Sequence, residues 1–183
     1  VGRNYPFNES YSHVLGYVAY ASKEDLSSNE TINERHVPGL RVGKNGLEKT
    51  FENKLIGTNT IQRFEVNAYG KRINQIDFKE GEQGKTIKLT IDTEIQKYTQ
   101  ELLDNRAGSI SIMDIYTGEI IAMNSSPSFD PNLFLYGIDN NLWNQIKKDP
   151  LKPLVNKTLS GLYSPGSTIK PIVALSALEN EVI

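Results

Sequence analysis

The sequence predicts an α+β fold, with an irregular, strand-rich first half followed by an antiparallel sheet packed with helices. Three observations carry this. Residues 1–90 alternate short extended stretches with Gly- and Asn-bearing turns, and residues 92–103 have the cap and apolar spacing of a helix. Two apolar runs beyond that helix are separated by Tyr116-Thr117-Gly118, which is hairpin punctuation. With 183 residues the chain has the length of one ordinary domain or two small ones.

Within the first half one helix is expected after Gly46, because Leu47, Phe51, Leu55 and Ile56 fall on one face. The segments 64–68 and 86–90 alternate as half-buried strands. Residues 22–36 are polar with few large apolar groups and read as a loop. Asp92 then caps a helix whose stripe is Ile95, Tyr98, Leu102 and Leu103, with Gly108 as its stop. The hairpin spans 108–115 and 119–123, so a second domain starts near residue 89. Ser125 to Pro131, with two prolines, must leave the sheet as a loop. A short helix around Asn141 to Lys148 follows, and Trp143, the single tryptophan, reads as a core anchor.

Composition narrows the function classes. Hydrophobic residues make up 38% and charged residues 23%, which fits neither a disordered chain nor one embedded in a membrane. The 20 basic and 22 acidic side chains are spread without a basic face: residues 1–90 carry 13 and 11, residues 91–183 carry 7 and 11. Nucleic-acid binding is set aside. The chain has no cysteine, which removes disulfides, thiol nucleophiles and cysteine-based zinc sites. His13 and His36 are its two histidines, each read as structural or surface, so no metal is expected and no cofactor is implied. No stretch approaches the ~18 apolar residues of a membrane span. The start at Val1-Gly2-Arg3 and the stop after an apolar helical run suggest cuts in a longer protein.

One candidate nucleophile motif stands out, Ser167-Thr168-Ile169-Lys170. With 14 serines and 14 lysines, about one Ser-x-x-Lys is expected by chance, so the spacing alone says nothing. Its setting says more. Pro165-Gly166 breaks the chain just before Ser167, while Ile172, Val173, Leu175, Ala177 and Leu178 make the next segment a buried helix. Thr168 is the favoured N-cap, since Pro171 then falls where its missing N–H costs nothing. Residues three apart share a face, so the Lys170 amine can reach the Ser167 hydroxyl. Partial burial and the helix N-terminus would lower the lysine's proton affinity enough for it to act as a base. The Ser167 N–H is then available to an oxyanion. These residues leave two readings open: nucleophile and base, or a helix start beside a solvated lysine.

The wording of the chain bears on that choice. Tyr163-Ser164-Pro165-Gly166-Ser167-Thr168-Ile169-Lys170-Pro171, with the approach from Asp149 to Lys157, resembles the first active-site motif of the penicillin-binding transpeptidases. Leu89-Thr90-Ile91-Asp92, Thr117 to Met123 and Ser126 to Asn132 are similar in the same order. Arg3-Asn4-Tyr5-Pro6, His13 to Val18, Gly43 to Glu48 and Glu65 to Gly70 resemble the class B, elongation-type branch, the penicillin-binding protein 2 group. The resemblance covers almost the whole chain except residues 22–36.

This resemblance implies a membrane anchor before Val1, a non-catalytic pedestal over 1–88 and the N-terminal part of a transpeptidase domain over 89–183. It places the protein on the periplasmic face of the bacterial cytoplasmic membrane. It gives Ser167 the attack on D-alanyl-D-alanine of a peptidoglycan stem peptide, with Lys170 as base, and makes β-lactams acylating mimics. The family's second and third motifs, Ser-x-Asn and Lys-Thr-Gly, are expected beyond Ile183. The stretch given is therefore expected to lack turnover and to expose the apolar helix after Ser167. A non-catalytic reading makes the pedestal an interaction module for the SEDS-family glycan polymerase and other elongation proteins. A β-lactamase or antibiotic sensor is disfavoured, because neither needs the class B segments of the first half.

Overall fold

Caps and turns in the sequence set where elements begin in the computed structural model, which describes residues 3–29, 32, 33, 37–104 and 106–182. A 3-10 turn, Asn8–Tyr11, runs into the one-turn helix α1, Ser12–Leu15. Strand β1 (Val18–Tyr20) pairs antiparallel with β2 (Arg41–Gly43), Ala19 lying opposite Val42. Between them lies a helix, α2 (Lys23–Ser28), where the composition suggests a loop. Capping accounts for it. The Asp25 N–H donates to Ser22 Oγ, the Ser22 N–H donates to Asp25 Oδ2 at 2.7 Å, and Lys44 pairs with the same carboxylate. Glu30, Thr31, Glu34, Arg35 and His36 lie outside the described residues, so the reading of His36 does too.

The helix expected after Gly46 is divided into α3 (Gly46–Thr50) and α4 (Glu52–Leu55), interrupted at Phe51. Leu47, Phe51, Leu55 and Ile56 are only half-buried, and the buried side chains are Glu48 and Glu52. Polar bonds explain the inversion. Glu48 Oε1 accepts from the Tyr5 hydroxyl and from Arg3 Nε, each at 3.2 Å, and Glu52 Oε2 accepts from the Gly43 N–H at 2.6 Å.

Strands β3 (Ile61–Val66) and β4 (Arg72–Lys79) form a second antiparallel pair whose stem crosses α4 closely. At Gly84 a Cβ would lie 1.9 Å from the Leu55 carbonyl oxygen, so only glycine fits there. The adjoining Lys85 N–H donates to the Lys54 carbonyl at 2.8 Å. Residues 86–90, expected as a strand, join no ladder. This stretch meets the second half through isolated bonds instead, such as Thr90 Oγ1 to the Ile120 carbonyl at 2.6 Å.

In the second half Asp92 caps α5 (Thr93–Leu103), its Oδ1 accepting the Glu94 and Ile95 N–H groups. The helix ends at Asp104, left-handed at φ 43°, and not at Gly108, which opens β5 (Gly108–Met113). Strand β5 pairs with β6 (Ile120–Ser126), Ile110 opposite Asn124, as a hairpin in the expected place. The strand continues through Ser126 and leaves at Pro127, two residues later than the loop reading. The expected apolar stripe of α5 faces outward: Ile95, Tyr98 and Leu102 are exposed, while Gln96 and Thr99 are buried against β6.

The two halves interlock through an aromatic cluster. Phe134, in the 3-10 turn Pro131–Phe134, stacks on Tyr17 at 4.1 Å, and the Phe129 ring meets His13 and Tyr17 in T-shaped contacts. Trp143 of α6 (Asn140–Lys148), expected as a core anchor, is only half-buried and flanks the cluster, with Phe134 at 6.2 Å in a T-shaped contact. Tyr5 and Asn132 exchange two hydrogen bonds, each 3.0 Å, between the N-terminal segment and the loop after β6. The α+β class thus holds, as small two-stranded antiparallel sheets with helices. Among the described residues no helix is long and apolar enough to cross a membrane.

Candidate active site

The path to Ser167 starts at the end of β6. Ser125 Oγ donates to the Val155 carbonyl at 3.1 Å and accepts from the Lys157 N–H at 2.9 Å, docking the one-turn helix α7 (Lys157–Ser160) onto the strand. Thr158 Oγ1 adds a bond to the Asn124 carbonyl at 3.0 Å, and Asn156 caps α7 by accepting the Thr158 N–H. Lys157 is 8% exposed, and its Nζ donates to the Lys152 carbonyl at 3.0 Å. Burial lowers its pKa, with Asp149 opposing. The neighbouring His13 imidazole is driven down to about 4 by burial, with the Lys157 charge adding to it.

From Gly161 to Pro165 the chain has no regular secondary structure and is largely exposed. Gly166 sits at φ 54°, the left-handed region, and reverses the backbone into a 3-10 turn, Gly166–Ile169. The Lys170 N–H donates to the Ser167 carbonyl, closing that turn and starting α8, Lys170–Glu179. Ser167 and Lys170 therefore stand one turn apart at a loop-to-helix junction, as the sequence suggests.

Two expectations about this junction are corrected. Thr168 is not an N-cap: it lies inside the 3-10 turn, its hydroxyl donates to the Pro165 carbonyl, and α8 has no side-chain cap. Pro171 instead falls in the first helical turn after Lys170, where its lack of an N–H is still harmless. Burial of Lys170 is also absent. Both Ser167 and Lys170 are exposed, and no hydrogen bond joins their side chains among the described residues. The following helix is not buried either, with Ile172 and Leu175 each 66% exposed.

Chemically the junction offers a solvent-facing hydroxyl and an amine on the same turn. The sequence gives no sign of the hydrogen bonds by which Ser125 holds Val155 and Lys157 upstream of the junction; Lys157 is legible there only as the end of the stretch from Asp149.

Comparison with known proteins shows the family. Residues 1–89 match the penicillin-binding protein dimerisation domain, and residues 108–183 match the penicillin binding protein transpeptidase domain. The peptidoglycan D,D-transpeptidase MrdA of Escherichia coli K12 is 36% identical over 183 residues, covering 99% of this chain and 29% of that protein. Among solved structures, Helicobacter pylori PBP2 in complex with MreC aligns with a TM-score of 0.83 at 35% identity, covering 98% of this chain and 33% of that one. Pseudomonas aeruginosa PBP2 in complex with WCK 5153 aligns at 0.82 and 34%, covering 100% and 36%. The chain belongs to the penicillin-binding protein family. It spans about a third or less of the length of the relatives it matches.

Proposed function

We propose that this chain is the portion of a class B, elongation-type peptidoglycan D,D-transpeptidase that carries its acylated serine. In this reading residues 1–88 form a non-catalytic pedestal and residues 89–183 the N-terminal part of the transpeptidase domain. One observation carries the proposal. A hydroxyl and an amine stand one turn apart and open to solvent, in a chain 36% identical to a protein named for this activity.

Ser167 Oγ attacks the carbonyl carbon of a D-alanyl-D-alanine bond while the Lys170 amine takes the hydroxyl proton. The oxyanion is met by backbone N–H groups at the head of the turn. As the tetrahedral intermediate collapses, the proton passes to the departing D-alanine amine and the stem peptide remains esterified to Ser167. An amine from a neighbouring stem then attacks the ester, forming the cross-link and returning the hydroxyl. A β-lactam amide opened by the same attack leaves Ser167 acylated. The protein acts at the periplasmic face of the cytoplasmic membrane, held by an anchor outside these residues. Without the family's second and third motifs after Ser167, which would clamp substrate and complete the oxyanion hole, residues 1–183 alone are inactive.

The full-length protein exposed to radiolabelled benzylpenicillin is expected to carry the adduct on Ser167 and to lose it in Ser167→Ala. An adduct elsewhere, or none, overturns the assignment. Stoichiometric labelling of residues 1–183 alone by a fluorescent penicillin would overturn the inactivity.

A second reading, that the pedestal is an interaction module for elongation partners such as a SEDS-family polymerase, is favoured by one observation: the similar Helicobacter pylori protein was solved in complex with MreC. Ser167→Ala should then abolish cross-linking while partner binding survives.

A further inference from the structure

The stretch that leads to Ser167 is anchored at its root by one buried hydroxyl. Ser125 is 2% exposed, and its Oγ grips the residues on either side of Asn156, donating to the Val155 carbonyl at 3.1 Å and accepting the Lys157 N–H at 2.9 Å. Asn156 is thereby fixed against the end of β6. Its own side chain serves two partners. Oδ1 accepts the Thr158 N–H at 3.1 Å and starts α7, while Nδ2 reaches across to the His13 carbonyl of α1 at 3.4 Å.

His13 meets the same stretch a second time. Its imidazole donates to the Pro153 carbonyl, lies close enough to Lys157 to feel that charge, and makes a T-shaped contact with Phe129 at 5.3 Å. Behind His13, α1 is built tightly into the first half. The Tyr17 N–H donates to Asn45 Oδ1 at 3.1 Å, and the Tyr17 carbonyl accepts the Lys44 N–H at 2.9 Å. A Cβ on Gly16 would lie 2.1 Å from the Asn45 carbonyl oxygen, so the turn after α1 sits directly on the residue that precedes α3. A continuous set of contacts therefore runs from α3 through α1 to Asn156. Beyond Asn156 little intervenes before the serine. Residues 161–165 separate α7 from the turn that carries Ser167, and among the described residues they hydrogen-bond only to Lys157 and Thr168.

We propose that Asn156 is a positioning residue for the acylation of Ser167: by tying the root of this arm to His13, it makes the serine's placement depend on how the first half sits against the second. The inference rests on the transpeptidase reading, in which Ser167 is the acylated group. Asn156 touches no reacting atom. Its effect is geometric, and misplacing a reacting group by about 1 Å costs up to ~10²-fold in rate. Asparagine suits the position better than the other good N-cap residues, because it combines the acceptor that α7 needs with a donor that reaches α1.

The test is the concentration dependence of benzylpenicillin acylation in the full-length protein, read both as a rate constant and as the final fraction labelled at Ser167. Asn156→Asp and Asn156→Ser each keep an acceptor for the Thr158 N–H and each lose the donor to His13. Both are expected to label the same fraction of molecules as the parent, but about tenfold more slowly at saturating drug. A purely structural role would lower the labelled fraction and leave the rate constant of the remaining molecules unchanged, which would overturn the proposal. So would the parental rate constant in either variant, and that result would leave the transpeptidase reading standing. Labelling of the parent anywhere other than Ser167 would remove that reading and this inference with it.

Discussion

The side chains of Gln96 and Asn124 lock α5 to β6: Gln96 Nε2 donates to Asn124 Oδ1 at 2.8 Å, and Asn124 Nδ2 donates back to the Gln96 carbonyl at 2.6 Å. Gln96 is 0% exposed, and its carboxamide also accepts the Met123 N–H at 2.8 Å and donates to the Ser10 carbonyl at 2.6 Å. A fully satisfied buried network of this kind fixes one packing of helix on sheet, and it ties in the 3-10 turn of the N-terminal segment.

Replacing Gln96 by Leu keeps comparable bulk but strands the Met123 N–H and the Ser10 carbonyl. Unsatisfied buried groups cost about 1–3 kcal/mol each, so the loss expected is roughly 3 kcal/mol in urea unfolding. Gln96→Glu should destabilise too, since two carbonyls lose their donor. If both variants unfold at the wild-type midpoint, the network contributes nothing.

Much of the architecture is legible because it follows from local chemistry. Asp92 before an apolar run is a cap in the sequence and in the structure, and Tyr116-Thr117-Gly118 marks the hairpin in both. What hides is burial of polar groups. Periodicity assigns the inner face of α5 to Ile95, Tyr98 and Leu102, whereas hydrogen bonding places Gln96 and Thr99 there. Glu48 and Glu52 displace Leu47 and Phe51 from the interior for the same reason. The alternation over 86–90 is real, yet it finds no partner strand, because ladders are long-range and alternation specifies only one face. At the candidate site the Ser167 to Lys170 spacing is readable, but the exposure of both depends on what packs over α8, which spacing does not carry.

His13 gives a pH dependence. Its pKa falls from the model-peptide 6.5 to about 4 in the fold, so the unfolded chain takes up a proton before the folded one does. Its contribution is fully present above pH 6.5 and is lost as pH falls through about 4, amounting to roughly 3 kcal/mol. Urea unfolding of the chain and of His13→Asn across that interval should give a steeper loss for the chain itself. Parallel curves would sink the assignment.

Glu52 has the opposite sign. Its pKa is raised, so the folded chain holds that proton more tightly than the unfolded chain, and stability from this group is present at low pH and lost as pH rises through the folded value. Glu52→Gln removes the charge but keeps an acceptor for the Gly43 N–H. The variant should therefore melt higher than the chain at pH 7, with the gap closing below the ordinary carboxyl range. A variant that melts no higher than the chain at pH 7 would mean that the carboxylate is well paired.

The last prediction concerns the helix that follows the serine. No side chain of α8 is buried, and Ile172, Val173, Leu175 and Leu178 all face water. An isolated helix of this length is marginal because nucleation is unfavourable, and β-branched Ile172 and Val173 add nothing to its intrinsic stability. Helices in proteins persist through packing, which α8 lacks. Amide exchange over Lys170–Glu179 in residues 1–183 alone should accordingly report an opening free energy of about 1 kcal/mol or less, far below that of α5 and β6, which share the Gln96 network. The Ser167 to Lys170 geometry rests on this helix, so any surface that covers its apolar side should slow exchange and hasten acylation of Ser167 together. Slow exchange in a monomer would show that α8 is held by something other than packing, and the link between its cover and the serine's reactivity would fall.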